Sequence, residues 1–230
     1  LCTLADGRLM AGLIVGQAGN RLERATLQGV LHRHLPQMHT VITVRGIGLW
    51  TSQDHGCTWT PEREVTLAGW ENLYNLRGVL ELADGTVILP LTVGYPWRSR
   101  CVGLLRSWDG GHTWADPSYV AEDPAGRAHY GAGVGYWQPA MVAMPSGDMV
   151  CVCVLDDRDS APPRTAGSAG ASTPTAPKAG LPPLYVTYSQ DSGFTWSVPQ
   201  PTGLEGDYPS LTTLPDGRLR LLRVRHRDRR

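Results

Sequence analysis

Lysine is almost missing from these 230 residues: Lys178 is the single one, and every other basic side chain apart from the histidines is an arginine. The 21 basic and 21 acidic residues cancel to a formal charge of zero, which leaves no electrostatic argument for nucleic acid or an anionic membrane surface as the main partner. No apolar run approaches the ~18 residues of a membrane-spanning helix, and no secretory leader is visible. The chain opens at Leu1 inside an apparent strand motif, so upstream sequence is expected and no compartment is assigned. Cysteine is sparse and odd in number: Cys2, Cys57, Cys101, Cys151 and Cys153 lack the paired spacing of a metal site. On a strand Cys151 and Cys153 share a face, and the set reads as buried free thiols.

Glycine, proline and tryptophan are what the chain has instead, at 27, 18 and 8 residues. That composition suits many short strands joined by tight turns and predicts an all-β fold. The length is enough for a sizeable core.

Two repeats organise the strands. The first is the pattern Ser-x-Asp-x-Gly-x-Thr-Trp, found at Ser52 to Trp59, Ser107 to Trp114 and Ser189 to Trp196. An Asp in a tight turn accepts hydrogen bonds from backbone N–H groups one or two residues on, and the Gly two positions later takes a positive φ. Thr restarts an extended strand, and Trp adds a large apolar surface that needs a core. Asp54, Asp109 and Asp191 are therefore read as turn residues, not catalytic carboxylates.

The second repeat is a hairpin signal centred on Asp6-Gly7, Asp84-Gly85, Ser146-Gly147 and Asp216-Gly217, each between two apolar runs. The two repeats alternate strictly, so each unit reads as strand, Asp-Gly turn, strand, loop, strand, box, strand. Strands are expected at about 9–15, 40–51, 78–82, 86–93, 101–107, 140–144, 149–155, 184–189 and 211–214. Four strands per unit at a period of 62 to 78 positions between turns predicts the blades of a β-propeller. Three full units and the start of a fourth are visible, and the whole chain is expected to be one partial propeller domain.

Two stretches depart from the pattern. Residues 161–183 are rich in Pro, Ala, Gly, Ser and Thr and are expected to be a flexible insertion between two strands of one blade. The tail from Arg218 to Arg230 holds seven Arg and reads as a solvated or truncated strand end rather than a nucleic-acid arm. His32, His34 and His39 have a spacing that alternate strand residues give a metal site, but no Cys or Asp and only Glu23 lies nearby, so no metal is assigned.

With three boxes and four Asp-Gly hairpins in register, the chain resembles the sialidase (neuraminidase) superfamily, whose six-bladed propellers carry such Asp boxes. Related boxes occur in sortilin-like receptors, xyloglucan hydrolases and a photosystem assembly factor. The resemblance implies an active site in which three arginines hold a substrate carboxylate, a Tyr-Glu pair supplies the nucleophile and its helper, and an Asp is the acid/base. Arg suits the first task because it contacts a carboxylate bidentately. A nearby carboxylate activates a phenol that is otherwise a poor nucleophile.

In the family these groups sit about eight residues before each Asp-Gly turn. That offset falls upstream of Leu1 for the first turn. For the others it lands on Tyr74 to Arg77, on Tyr136-Trp137-Gln138-Pro139, and on Asp207-Tyr208-Pro209-Ser210. By resemblance Tyr208 and Arg77 are the candidate catalytic residues, and Tyr74, Tyr136, Trp137 and Gln138 the candidate substrate-binding ones. Arg77 is also read as an ion pair to Glu71 or Glu81. Aromatic residues gather at the same places, namely Trp70, Tyr74, Tyr95, Trp97, Tyr130, Tyr136, Trp137 and Tyr208, where they either meet the apolar faces of sugars or pack between blades.

Two departures bear on chemistry. Gln138 stands where the family commonly has a glutamate, and no Asp occurs between Gly7 and Gln53, the span expected to carry the acid/base. The expectation is a sialidase-like glycoside hydrolase of terminal acidic sugars with an incomplete catalytic set, or else a non-catalytic carbohydrate- or protein-binding propeller. The implied partner is a glycan, no cofactor is implied, and the oligomeric state is not legible.

Overall fold

The computed structural model describes residues 1–20, 30–35, 40–67, 70, 73–74, 78–94, 100–122, 135–156 and 181–224. Its described residues are β-strands and turns. The first unit contains β1 (Cys2–Thr3), β2 (Leu9–Asn20), β3 (Val30–Leu35), β4 (Thr40–Ser52) and β5 (Thr60–Val65), in the order β1-β2-β4-β3 with β5 also on β4. The second contains β6 (Leu73–Tyr74), β7 (Leu80–Glu81), β8 (Val87–Gly94), β9 (Arg100–Ser107) and β10 (Ala115–Ala121). The third is β11 (Gly135–Ala143), β12 (Met149–Asp156), β13 (Pro183–Ser189) and β14 (Gln200–Glu205), joined to the second by one parallel bridge between Gly135 and Arg100. β15 (Asp207–Thr213) and β16 (Leu219–Val224) form a last hairpin.

This contains the strand order expected from the alternating repeats, an inner hairpin, a strand before the box and a strand after it, with β3 added in the first unit and β6 beside β7 on β8 in the second. Three differences have physical causes. β2 runs longer than expected, and the unexpected β3 pairs with the part of β4 that β5 leaves free. The expected strand over 78–82 is only β7, because Gly78 at φ +84° breaks the extended run. β11 and β15 begin several residues earlier than expected, each through a bulge, at Trp137–Ala140 and Asp207–Ser210. Pro139 and Pro209 lie in those bulges, and a residue without an N–H is tolerated in a sheet where the ladder is already interrupted. The insertion expected at 161–183 lies outside the described residues except for its last three, of which Pro183 already begins β13.

The four Asp-Gly and Ser-Gly hairpins are alike. In each, the residue three before the glycine accepts from the glycine N–H at 2.9–3.0 Å and its own N–H bonds four residues on at 2.7–2.8 Å. The boxes are equally regular, although the Asp reaches further than the sequence suggested. Asp109 Oδ1 accepts from Thr113 N at 2.7 Å and Oδ2 from Thr113 Oγ1 at 2.6 Å, four residues on. Ser107 Oγ donates to the same carboxylate at 2.7 Å and accepts from Gly111 N at 2.8 Å. Trp114 Nε1 then donates to Gly111 O at 3.0 Å. The corresponding bonds recur in the other two boxes.

Hydrogen bonds from Thr195 and Ser189 hold the Asp191 carboxyl well below its ordinary value of 3.8, at about 2, and those from Thr58 and Ser52 do the same for Asp54. A carboxyl depressed in the folded state stabilises the fold above its unfolded value and loses that contribution as pH falls through the folded one. The loss is therefore expected between about pH 4 and pH 2. Thermal unfolding across that window should fall more shallowly in Asp191→Asn than in the wild type, and parallel slopes would show that the box carboxylate contributes nothing.

The units stack face to face. β8 is buried along its whole length, with Val87, Leu89, Leu91 and Val93 packing toward the first unit beside Met10, Ile47 and Leu49. Ile88 points the other way, into a cluster with Leu104, Met149, Cys151 and Cys153 of the second and third units. A third, smaller cluster of Val152, Val154 and Leu184 meets Leu211 and Leu221 of the last hairpin. Full burial of such side chains contributes about 1.5–3 kcal/mol each. The cysteines are all free, and Cys101, Cys151 and Cys153 are buried as expected, but Cys57 is exposed and Cys2 only half-buried. Cys57 lies in the exposed turn of the first box.

Boxes also fasten neighbouring units. Arg8 Nη2 donates to Gly110 O at 3.2 Å and Arg63 Nη1 to His112 O at 2.6 Å, so two arginines of the first unit reach the box of the second. Arg106 of the second unit is 1% exposed. It donates to Asp116 O at 2.8 Å, to Ser118 Oγ at 2.9 Å and to Ser192 O in the third box at 3.4 Å, with its guanidinium 3.8 Å from the centre of the Phe194 ring. Burial lowers its pKa, against the opposing charges of Asp116 and Asp191.

Candidate functional site

The first strands of successive units, β1, β7, β11 and β15, come together around one cavity of about 730 Å³. Thr3, Glu81, Val142 and Thr213 contribute to its wall, together with the Asp84-Gly85 turn. Glu81 Oε2 accepts from Ala5 N at 2.5 Å, tying the first two inner hairpins together. The cavity occupies the end of these strands nearest the Asp-Gly turns. Their opposite, starting end carries the residues that the sequence singles out.

Gln138 and Tyr208 hold equivalent places there. Each precedes a proline, each sits in a bulge of a first strand, and each has a positive φ, +52° for Gln138 and +51° for Tyr208. Non-glycine residues in this region are uncommon, and the local strain is held by surrounding structure. Gln138 is fully buried. Its N–H donates to Thr92 Oγ1 at 3.1 Å, and its Oε1 accepts from Tyr208 N at 2.7 Å. Gln138 thus ties β11 to β8 through its backbone N–H and to β15 through its side chain. Tyr208, by contrast, is 47% exposed.

The other expected site residues divide. Tyr136 is buried with its ring edge-on to Tyr185 at 5.4 Å between centres, in the core shared by the second and third units. Its place is that of a packing residue, because β11 turns it inward before the bulge. Trp137 is half-buried and packs against the third cluster. Tyr74 lies on β6, with its side chain outside the description. Arg77, Tyr95, Trp97 and Tyr130 lie outside the described residues, as do Glu23, Glu71 and His39. Trp70 is buried, 5.3 Å from Tyr119 between ring centres, and its Nε1 donates to Tyr119 Oη at 3.2 Å.

Gln138 and Tyr208 are therefore brought together, but as an amide supporting a backbone N–H rather than as a base beside a phenol. Sequence reasoning missed Asp207, which is 6% exposed at the start of β15. Its signal was the match of Trp137-Gln138-Pro139 to Asp207-Tyr208-Pro209 at one offset, which places a carboxylate in the fourth unit where the third has an indole. Among the described residues no group of three His, Cys, Asp or Glu side chains is arranged to hold a metal, and no helix is long and apolar enough to cross a membrane.

Solved structures share the fold. A protein of unknown function from Dyadobacter fermentans matches over 96% of this chain and 54% of its own, with a TM-score of 0.71 and 19% identity. An α-L-arabinanase of Penicillium chrysogenum, in complex with arabinobiose, matches over 94% of this chain and 54% of its own, at TM-score 0.55 and 20% identity. The chain has a β-propeller fold of the kind found in glycosidases. An ulvan lyase of polysaccharide lyase family 25 also matches, over 92% of this chain and 46% of its own, at TM-score 0.52 and 11% identity. The chain spans about half the length of the solved structures it matches. No protein-family model and no curated protein matches the sequence. These likenesses support the propeller but neither the sialidase superfamily nor a ring of six blades.

Proposed function

We propose that this propeller acts on glycans, as a glycoside hydrolase that removes a terminal sugar bound at the starting ends of its first strands. One observation carries the reading: a buried amide, Gln138, fixes the backbone of Tyr208 in a left-handed conformation and leaves its ring exposed there. Strained positions held by their surroundings gather at functional sites, and a flat aromatic ring beside polar groups suits the apolar face of a sugar. The arabinobiose-bound arabinanase and the ulvan lyase, both carbohydrate-active proteins by their descriptions, support the class.

In the finer version, sialidase-like and directed at acidic sugars, Tyr208 is the nucleophile, Arg77 clamps the substrate carboxylate, and Tyr74 and Trp137 contact the sugar. A second reading, a propeller that binds glycans without cleaving them, is favoured by Gln138 itself, since an amide cannot act as a base where a hydrolase of this kind is expected to have a carboxylate.

Release of 4-methylumbelliferone from its α-L-arabinofuranoside and N-acetylneuraminide by the full chain separates these readings. Turnover of either, falling by about 10²-fold or more in Tyr208→Phe, is the expected result for the loss of a reacting hydroxyl. Cleavage of the neuraminide, abolished by Arg77→Ala, supports the finer version. Binding to immobilised glycans without turnover supports the second reading, and neither turnover nor binding overturns the glycan assignment.

A further inference from the structure

Three side-chain polar atoms around the start of β15 are buried without a hydrogen-bond partner among the described residues: Gln138 Nε2, Asp207 Oδ1 and Arg223 Nη1. Their residues converge on positions 206–208. Gln138 binds the Tyr208 N–H, Asp207 is the residue before it, and Arg223 Cδ lies 3.1 Å from where a Cβ on Gly206 would stand. Val224, next to Arg223, is in register with Asp207. A buried polar atom without a partner has lost its hydration with no replacement, and such atoms are few in folded proteins. Three of them around one short stretch point to one missing group rather than to three separate defects.

The inventory identifies that group. Two of the atoms are donors and one is an acceptor. A hydroxyl carries one O–H and two lone pairs, so it complements all three. A carboxylate only accepts and would face the Asp207 carboxylate, and an ammonium only donates. We propose that Asp207, Gln138 and Arg223 form a subsite for one hydroxyl of a bound sugar, beside the exposed ring of Tyr208. This rests on the glycan reading above and adds what that reading lacks: Asp207 supplies a buried carboxylate at this end of the strands, its ligand is a neutral hydroxyl, and any acidic group of the sugar is held elsewhere. Gln138 then has two tasks, positioning Tyr208 through Oε1 and contacting the sugar through Nε2.

The test uses the full chain, the methyl glycosides of α-L-arabinofuranose and N-acetylneuraminic acid, and their monodeoxy derivatives, with binding read by saturation-transfer NMR and by competition against the fluorogenic substrates. For the sugar that binds, one monodeoxy derivative should bind about 10²-fold or more weakly than its parent, because a site built to hydrogen-bond a hydroxyl rejects the analogue without it. In Asp207→Ala that selectivity should shrink to below about tenfold while the other monodeoxy derivatives keep their ranking. Gln138→Glu retains the acceptor for Tyr208 N and removes the donor, so it should reduce the same selectivity in a protein whose thermal unfolding shows it folded. A deoxy profile that is the same in wild type, Asp207→Ala and Gln138→Glu means that the three atoms hold only a resident water, which overturns the subsite and leaves the glycan reading standing. Absence of binding by either sugar overturns both.

Discussion

Arg106→Ala is expected to cost about 3–5 kcal/mol of folding stability, the range of a large buried side chain replaced by alanine. Arg106 is nearly inaccessible and its two Nη groups bond one neighbour strand and one box, at Asp116 O, Ser118 Oγ and Ser192 O, while its Nε has no partner among the described residues. Removing it leaves the first two acceptors without their donor, opens a cavity beside Leu104 and Gly193, and deletes the cation–π contact with Phe194. Part of that loss is offset because a charge no longer has to be kept out of water. Arg106→Met separates the contributions, since it refills most of the volume without restoring a donor. It should recover part of the loss and remain about 1–3 kcal/mol below wild type. Urea unfolding of the three proteins checks this, and an Arg106→Ala variant within about 0.5 kcal/mol of wild type would mean that the guanidinium does not fasten the units.

The second large effect is expected at Gly111. Its φ is +96°, and a Cβ there would collide with the Met10 Cε of the neighbouring unit. Gly111→Ala therefore meets two costs, about 1–2 kcal/mol for an L-residue in the left-handed region and about 0.5–1.5 kcal/mol for turning the flexible end of the buried Met10 off its rotamer. Gly217 supplies the control: its φ is +81°, but nothing lies within 4 Å of its Cβ site. Gly217→Ala should show the conformational cost alone. A denaturant titration in which the two variants lose equal stability would place the Gly111 effect in its own turn and dismiss the contact between units. The contrast matters because the same octapeptide both folds locally and docks on its neighbour, and only the second role builds the propeller.

Gly111 also marks what local chemistry makes legible. The box and the Asp-Gly hairpin are closed by bonds spanning two to four residues, so their sequence suffices to place them, and strict alternation of the two gives the order of the strands that flank them. The breaks at Gly78 and in the two bulges were not placed, although Pro139 and Pro209 stood in the sequence, because a proline shows that a ladder is interrupted without showing where the chain resumes. β3 was missed because its partner, the distal half of β4, is available only once β5 has taken the proximal half.

At the candidate site the balance reverses. The offset before each turn picks out Gln138 and Tyr208, which lie at equivalent places on β11 and β15, but not their relation, which depends on a bond between residues 70 positions apart. Tyr136 and Trp137 are adjacent in the same motif, and only the packing of the third unit against the second and fourth sends one into the core and the other toward the last hairpin. Asp207 looked like an ordinary flank of a tyrosine until burial left its carboxylate oxygen without a donor. The sequence alone therefore determined the repeating unit, its turns and its all-β class, since those follow from short-range hydrogen bonds and strand periodicity. The tertiary structure decided which polar groups are desolvated together and what they need, because burial and partnership are set by contacts between units that no single unit encodes.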